Sequence, residues 1–287
     1  MKKVIAVILS LILALSMAAC GTQEAAPAET NAPAAEAAAD TFKVAIIQQL
    51  AHSSLDEIRT AIETQLNTLA EEQGVAIEIS YDNGQNDTSM LTQIATQVVA
   101  DQADMIIPIA TLAAQYSVLA TENTDIPVVY AAISDPEGAG LTGIDTVTGV
   151  SDALNTPFIL DMMLAAQPDV QTVGLLYSTS EVNSEAPIAE AKAYLESKGI
   201  EYLEKTGTTS GEIVEAAASL VGRVDAVFTP TDNVVMAAEA SVAELLNESG
   251  IATTPALTPS SSPAPSPPAV STTPSWVPRP LTWLSTF

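Results

Sequence analysis

Residues 43–69 read KVAIIQQLAHSSLDEIRTAIETQLNTL. The opening segment, Lys43–Leu50, is an apolar run of strand length, suited to a strand buried on both faces. Ser54 and Glu57 then stand three apart as a capping box. Leu55, Ile58, Ile62, Leu66 and Leu69 recur at helical spacing on one face, and Gly74 is placed to end the helix. A buried strand running directly into an amphipathic helix is the building unit of a parallel, helix-covered sheet.

The same unit recurs downstream. Strands are expected at Ile77–Tyr81, Met105–Ala110, Ile126–Ile133, Thr172–Tyr177, 201–206 and Ala226–Thr229. Helices are expected at Met90–Ala100, from Thr111, near 156–167, 185–198 and 211–222, and over Val234–Glu248. Asp82-Asn83-Gly84 reads as a turn. The stretch 138–156, with Gly138, Gly140, Gly143, Gly149 and Pro157 beside it, reads as a loop that interrupts this rhythm. The expected fold is therefore α/β, with two doubly wound lobes of parallel sheet, 42–150 and 151–251, around a central cleft.

Composition narrows the function. All 35 acidic residues lie between 20 and 251, beside only six of the nine basic ones. A surface so acidic repels phosphate backbones, so nucleic acid is excluded as a partner. A hydrophobic content of 47% is ample for buried cores. One cysteine excludes a disulfide framework, and one histidine removes most His-based metal sites and leaves any triad dependent on His52. No GxGxxG, P-loop or GxSxG segment occurs. His52 beside Ser53 and Ser54 is too local for an ordered triad, so the reading is not an enzyme; no catalytic residue, metal or cofactor is expected.

The two ends differ from the middle. Lys2 and Lys3 precede an apolar run to Met17 that is too short to span a membrane comfortably, and small residues follow to Cys20. This reads as a signal peptide, 1–19, ending in a segment that resembles a bacterial lipobox, with Met17 where Leu is more usual. Cys20 would carry the lipid, and 20–41, rich in Ala, Pro, Glu and Thr, would be a disordered tether. From Ala252 to Phe287 the text turns Pro-, Ser- and Thr-rich, with nine of the eighteen prolines and both tryptophans. It reads either as a disordered extension or as a translated wrong reading frame, in which case the second lobe is incomplete.

In doubly wound sheets ligands bind beyond the carboxyl ends of strands. Hydroxyls, amides and a few carboxylates occupy those places here. Six segments stand in order: Gln49/His52/Leu55/Asp56; Ala110-Thr111; Asp135-Pro136 with Gly140-Leu141; Thr148–Asp152; Tyr177 with Ser180-Glu181 and Asn183; and Asp225-Ala226 with Pro230-Thr231-Asp232-Asn233. This set resembles the substrate-binding lipoproteins of ABC importers, of the periplasmic binding protein type and the amino-acid-type subfamily. The resemblance covers about 43–251. It implies a monomer that closes two lobes on a small ligand, amino-acid-like and in some members aromatic. An ABC permease and ATPase are the implied partners, and the implied location is extracytoplasmic, on the bacterial membrane through Cys20.

The implied ligand-binding residues are Gln49, His52, Thr111, Ser134, Asp135, Glu181, Asn183, Asp232 and Asn233. Several have a structural alternative. Thr111 and Asp232 could be helix N-caps, His52 could bond its own loop, and Asp135-Pro136 could be turn chemistry. Asp56 reads as a first-turn acid facing a helix dipole. A ligand sensor or scaffold without transport, or a non-functional frameshifted product, fits the same text. Since family members continue beyond the position of Ile251, the chain 42–287 is expected to be unstable or aggregated; a sharp two-state melt with tight ligand binding would contradict this.

Overall fold

A computed structural model describes residues 41–253. Cys20, the signal segment, the tether apart from Thr41 and the tail past Thr253 lie outside the described residues.

Among the described residues nine strands form two wholly parallel sheets. The first contains β1 (Phe42–Gln48), β2 (Ile77–Asn83), β3 (Met105–Ile109), β4 (Val128–Ile133) and β5 (Val147–Ser151), in the order β2-β1-β3-β4-β5. Its crossover helices are α1 (Ser53–Gln73), α2 (Thr88–Ala100) and α3 (Thr111–Thr121). The second contains β6 (Thr172–Ser178), β7 (Glu201–Gly207), β8 (Ala226–Phe228) and β9 (Ala252–Thr253), in the order β7-β6-β8-β9. Around it lie α4 (Thr156–Ala166), α5 (Glu185–Lys198), α6 (Ser210–Ala218), α7 (Asn233–Ala237) and α8 (Glu239–Glu248). A 3₁₀ turn, Val182–Ser184, precedes α5.

The first run quoted above is an interior strand of its sheet. β1 pairs with β2 on one side and β3 on the other, and Val44–Gln48 are buried. Its side chains split between two cores. Ala45 and Ile47 pack with Leu91, Ala95 and Val98 of α2, whereas Val44 and Ile46 meet Leu55 of α1 and Ile107 and Ile109 of β3. In the second sheet Leu175 and Phe228 face Leu160, Ile188 and Leu195, while Leu176 and Val227 face Ile213, Leu220, Val242 and Leu246. Each sheet is thus covered on both faces, as the continuous apolar strands require.

Several boundaries differ from expectation. The glycine-rich stretch contains β5, an edge strand with no fully buried residue and hence no apolar run to reveal it. Gly149 makes its approach possible, because a Cβ there would lie 2.2 Å from the Tyr130 carbonyl oxygen. β2 runs through Asn83, where a turn was read. His52, not Ser54, caps α1, its Nδ1 accepting from Ser54 N. Ala110, not Thr111, holds the cap position of α3. The expected Val234–Glu248 helix divides at Ala238 (φ −101°, ψ 0°) into α7 and α8. β9 begins where the composition changes, and Ala252 and Thr253 pair with Ala226 and Val227.

Phe228 is fully buried in the second sheet's core. Phe228→Ala is expected to lower stability by about 3–5 kcal/mol, read from urea midpoints at unchanged slope.

Candidate functional site

The carboxyl ends of β1, β3, β6 and β8 carry one connected set of polar side chains, and a single amide joins the two sheets within it. Gln49, directly after β1, is fully buried. Its Oε1 accepts from the backbone N–H of Leu112 in the first turn of α3, at 2.9 Å. Its Nε2 donates to Asn86 Oδ1 at 2.8 Å and to Glu181 Oε1 at 2.7 Å. One donor faces the oxygen and two acceptors face the nitrogen, which fixes the orientation of the amide. The bond to Glu181 crosses from the first lobe to the second.

Glu181 is 2% exposed, and its second oxygen accepts from Asn233 Nδ2 at 2.7 Å and from Asn233 N at 3.3 Å. Burial, with the nearby charge of Asp232, pushes its carboxyl up to about 7, against the hydrogen bonds from Asn233 and Gln49 that favour ionisation. None of its hydrogen-bond partners is a cation.

Asp232 is fully buried and takes four donors. Oδ1 caps α7 through Val234 N and Val235 N, both at 3.0 Å, and Oδ2 receives Ser178 N at 2.6 Å and Ser184 Oγ at 2.7 Å. It therefore binds the end of β6, the 3₁₀ turn and the start of α7 to one point. Asn183 lies in that turn and donates Nδ2 to the Thr231 carbonyl at 2.8 Å, while its buried Oδ1 has no hydrogen-bond partner.

The sequence-expected residues fall into three groups. Gln49, Glu181, Asp232 and Asn233 form the connected cluster, with Asn183 beside it and Thr111, itself buried, opening the helix whose first turn Gln49 caps. His52 makes a second contact between lobes, Nε2 lying 3.2 Å from Glu239 Oε2. Since Nδ1 accepts from Ser54 N, the proton of a neutral ring sits on Nε2 and is donated to Glu239. Ser134 and Asp135 stand apart. Ser134 Oγ donates to Asp152, and Asp135 accepts from Gly138 N within its own turn. Asp56 receives Gln48 Nε2 at 2.9 Å.

Sequence reading missed Asn86, Glu239, Val182 and the backbone of Ala110. Asn86 follows β2, the one strand of the first sheet whose carboxyl end had been dismissed as a turn. Val182 packs across the cleft on the cluster of Ala114, Ile133, Ala139 and Leu141. Ala110 adopts φ 75°, ψ 164°, a region that only glycine enters freely. That strain turns the chain sharply from β3 into α3 beside Gln49. Two surface depressions, of about 730 and 560 Å³, lie elsewhere, one beside Asn155 and Tyr194 and the other along α1.

The comparisons with known proteins decide what this frame is. Residues 43–263 match the model of the ABC transporter substrate binding protein family. The chain belongs to that family. The tyrosine-binding protein of Clostridioides difficile is 31% identical over 255 residues, with 87% of this chain and 73% of that protein aligned. An ABC domain from Streptococcus pneumonia solved in complex with L-Trp superposes with a TM-score of 0.69 at 32% identity, covering 76% of this chain and 75% of the other. The ligand-free, open structure of a substrate binding protein with adhesive properties from Clostridium difficile gives 0.52 at 33% identity, covering 75% and 74%. At nearly equal identity, this substrate-binding protein lies closer to the liganded relative than to the open one. Gln49–Glu181, His52–Glu239 and the packing of Val182 on the cluster of Ala114 and Ile133 each join the first lobe to the second.

Asp232→Ala is expected to lower stability by about 3–5 kcal/mol, because four buried donors lose their acceptor together. Ala110→Gly is expected to raise it by about 1 kcal/mol, since the relieved backbone strain exceeds the entropy cost of glycine. Equilibrium denaturation in urea reads both.

Proposed function

We propose that this substrate-binding protein captures an α-amino acid with an aromatic side chain between its lobes and delivers it to an ABC permease. The observation that carries the reading is the set of groups at the cleft. Backbone N–H groups at the start of α3 lie on one side, and Glu181, with no cationic partner, lies on the other. The first suits a carboxylate, by hydrogen bonding and by the sign of the helix dipole. The second suits an ammonium group. The names of two relatives, one tyrosine-binding and one solved with L-Trp, supply the aromatic side chain.

In the mechanism that follows, ligand enters between open lobes and closure brings Glu181 and Asn233 of one lobe against the α3 end of the other. Closure removes the ammonium and its carboxylate partner from water together, which strengthens their attraction. The closed form then docks on permease and ATPase subunits, with the molecule held at the membrane surface by a lipid on Cys20. Transport rather than sensing is favoured by the family, whose members serve ABC transporters.

L-Trp and L-Tyr are expected to raise the melting temperature progressively with concentration, and L-Leu much less; a ligand that binds only the native state stabilises it as the logarithm of its concentration over Kd. No shift with any amino acid would defeat the reading.

The pH dependence follows from Glu181. Its carboxyl stands near 7 beside Asp232, Asn233 and Gln49, and an ammonium partner would draw it down. Binding therefore releases a proton below about 7, and affinity is greatest above that value. Titration calorimetry should show affinity falling by up to about tenfold per pH unit below 7 until the ordinary glutamate range is reached. Glu181→Gln should remove most of this slope.

A further inference from the structure

The Gln49 side chain places an acceptor on the start of α3 and a donor on Glu181, both within hydrogen-bond distance, from two atoms of one amide. These are the two partners to which the proposed function assigns the carboxylate and the ammonium of an amino acid. We infer that Gln49 is a built-in occupant of the ligand's polar subsite, which latches the empty lobes together and must be displaced when ligand binds. The inference rests on the proposed function for the ligand, but the latch itself is a property of the empty protein.

Three observations support it. Gln49 is fully buried although it follows the last residue of a strand, at an end where solvent or ligand is expected. Its hydrogen bonds use the groups that a ligand needs, Leu112 N and Glu181 Oε1. The side chain is also neutral, so it satisfies Glu181 geometrically without compensating its charge. The charged group facing Glu181 is Asp232, of the same sign; Gln49 and Asn233 face it as amides, with Asn86 beyond Gln49. A zwitterion can supply the missing positive charge and Gln49 cannot. Exchange is therefore favourable for an α-amino acid and unfavourable for a carboxylate lacking an ammonium, which takes over the helix end but leaves Glu181 Oε1 without the donor that Gln49 supplied. Gln49 would thus act as a specificity filter as well as a latch. His52–Glu239 and Val182 hold other points of the same interface.

The test uses the full chain, first without ligand. Small-angle scattering, or the distance between dyes placed one on each lobe, should report a compact empty wild type. Gln49→Ala and Glu181→Ala should expand it, whereas Glu181→Gln, which retains an acceptor oxygen, should stay compact. Gln49→Met, of similar length without the hydrogen bonds, serves if the alanine variant does not fold. Calorimetry with L-Trp then tests displacement. Removing an internal competitor should tighten binding, by up to about tenfold where the latched form dominates the empty protein. Phenylpropionate, which lacks the ammonium, should gain relatively more than L-Trp in Gln49→Ala, because the filter has gone. Unchanged compactness in both Gln49 variants would overturn the latch. Weaker L-Trp binding in them, with compactness unchanged, would make Gln49 an ordinary ligand contact. If wild type binds no amino acid, the proposed function fails, while the ligand-free comparison still decides the latch.

Discussion

The arrangement of the cleft depends on one buried carboxylate. Among the described residues Asp232 has no cation partner, and it is held by four donors from three chain segments. Distributed hydrogen bonds of this kind can keep a charge buried where an unpaired carboxylate would otherwise cost several kcal/mol. The consequence is positional. Because Ser178 N, Ser184 Oγ and the start of α7 converge on the same two oxygens, the segment between β6 and α5 cannot move independently of the segment after β8. Glu181 belongs to the first segment and Asn233 to the second, so their pairing follows from Asp232 before any ligand or opposite lobe is involved.

That arrangement also sets the electrostatics. Asp232 is close enough to Glu181 for its charge to raise the Glu181 carboxyl, and burial raises it further. Among the described residues no lysine or arginine contributes to the shift at Glu181, so the two neighbouring acids lack a compensating positive charge. The overall acidity of the chain is a different matter. Among the described residues every acid other than Glu181 and Asp232 is at least partly exposed, and those acids say little about the ligand. The informative feature is the pair that has been removed from water.

How much of this was legible in the residues varies with the kind of signal. Lys43–Leu50 and Thr172–Tyr177 declared themselves as buried strands because both of their faces are covered and both therefore must be apolar. β5 did not, since an edge strand with exposed positions has no such requirement, and its one diagnostic residue, Gly149, resembles any loop glycine. The site followed a similar rule. Gln49, Glu181, Asp232 and Asn233 could be placed near one another because doubly wound topology sends the ends of successive strands to the same edge. What topology could not reveal was which atoms meet. The capping role of His52 in place of Ser54, the strained backbone at Ala110 and the contact between His52 and Glu239, 187 residues apart, depend on local angles and lobe position. None has a sequence pattern of its own.

The strain at Ala110 connects these levels. A residue forced to φ 75° and ψ 164° costs about 1–3 kcal/mol, and glycine would avoid most of it. Its place between β3 and α3 determines where the first free N–H groups of that helix point. Gln49 is fixed by the adjoining strand, since Gln49 N donates to Ile109 O at the end of β3. The helix end and the amide that caps it are therefore referenced to the same strand terminus, one by a strained turn and the other by a sheet hydrogen bond. Whatever replaces the Gln49 oxygen on Leu112 meets a donor whose direction is already set. On the second lobe Asp232 does the equivalent for Glu181. The start of α3 and Glu181 are thus each fixed within their own lobe, the first by a strained turn and a sheet hydrogen bond, the second through the four donors on Asp232.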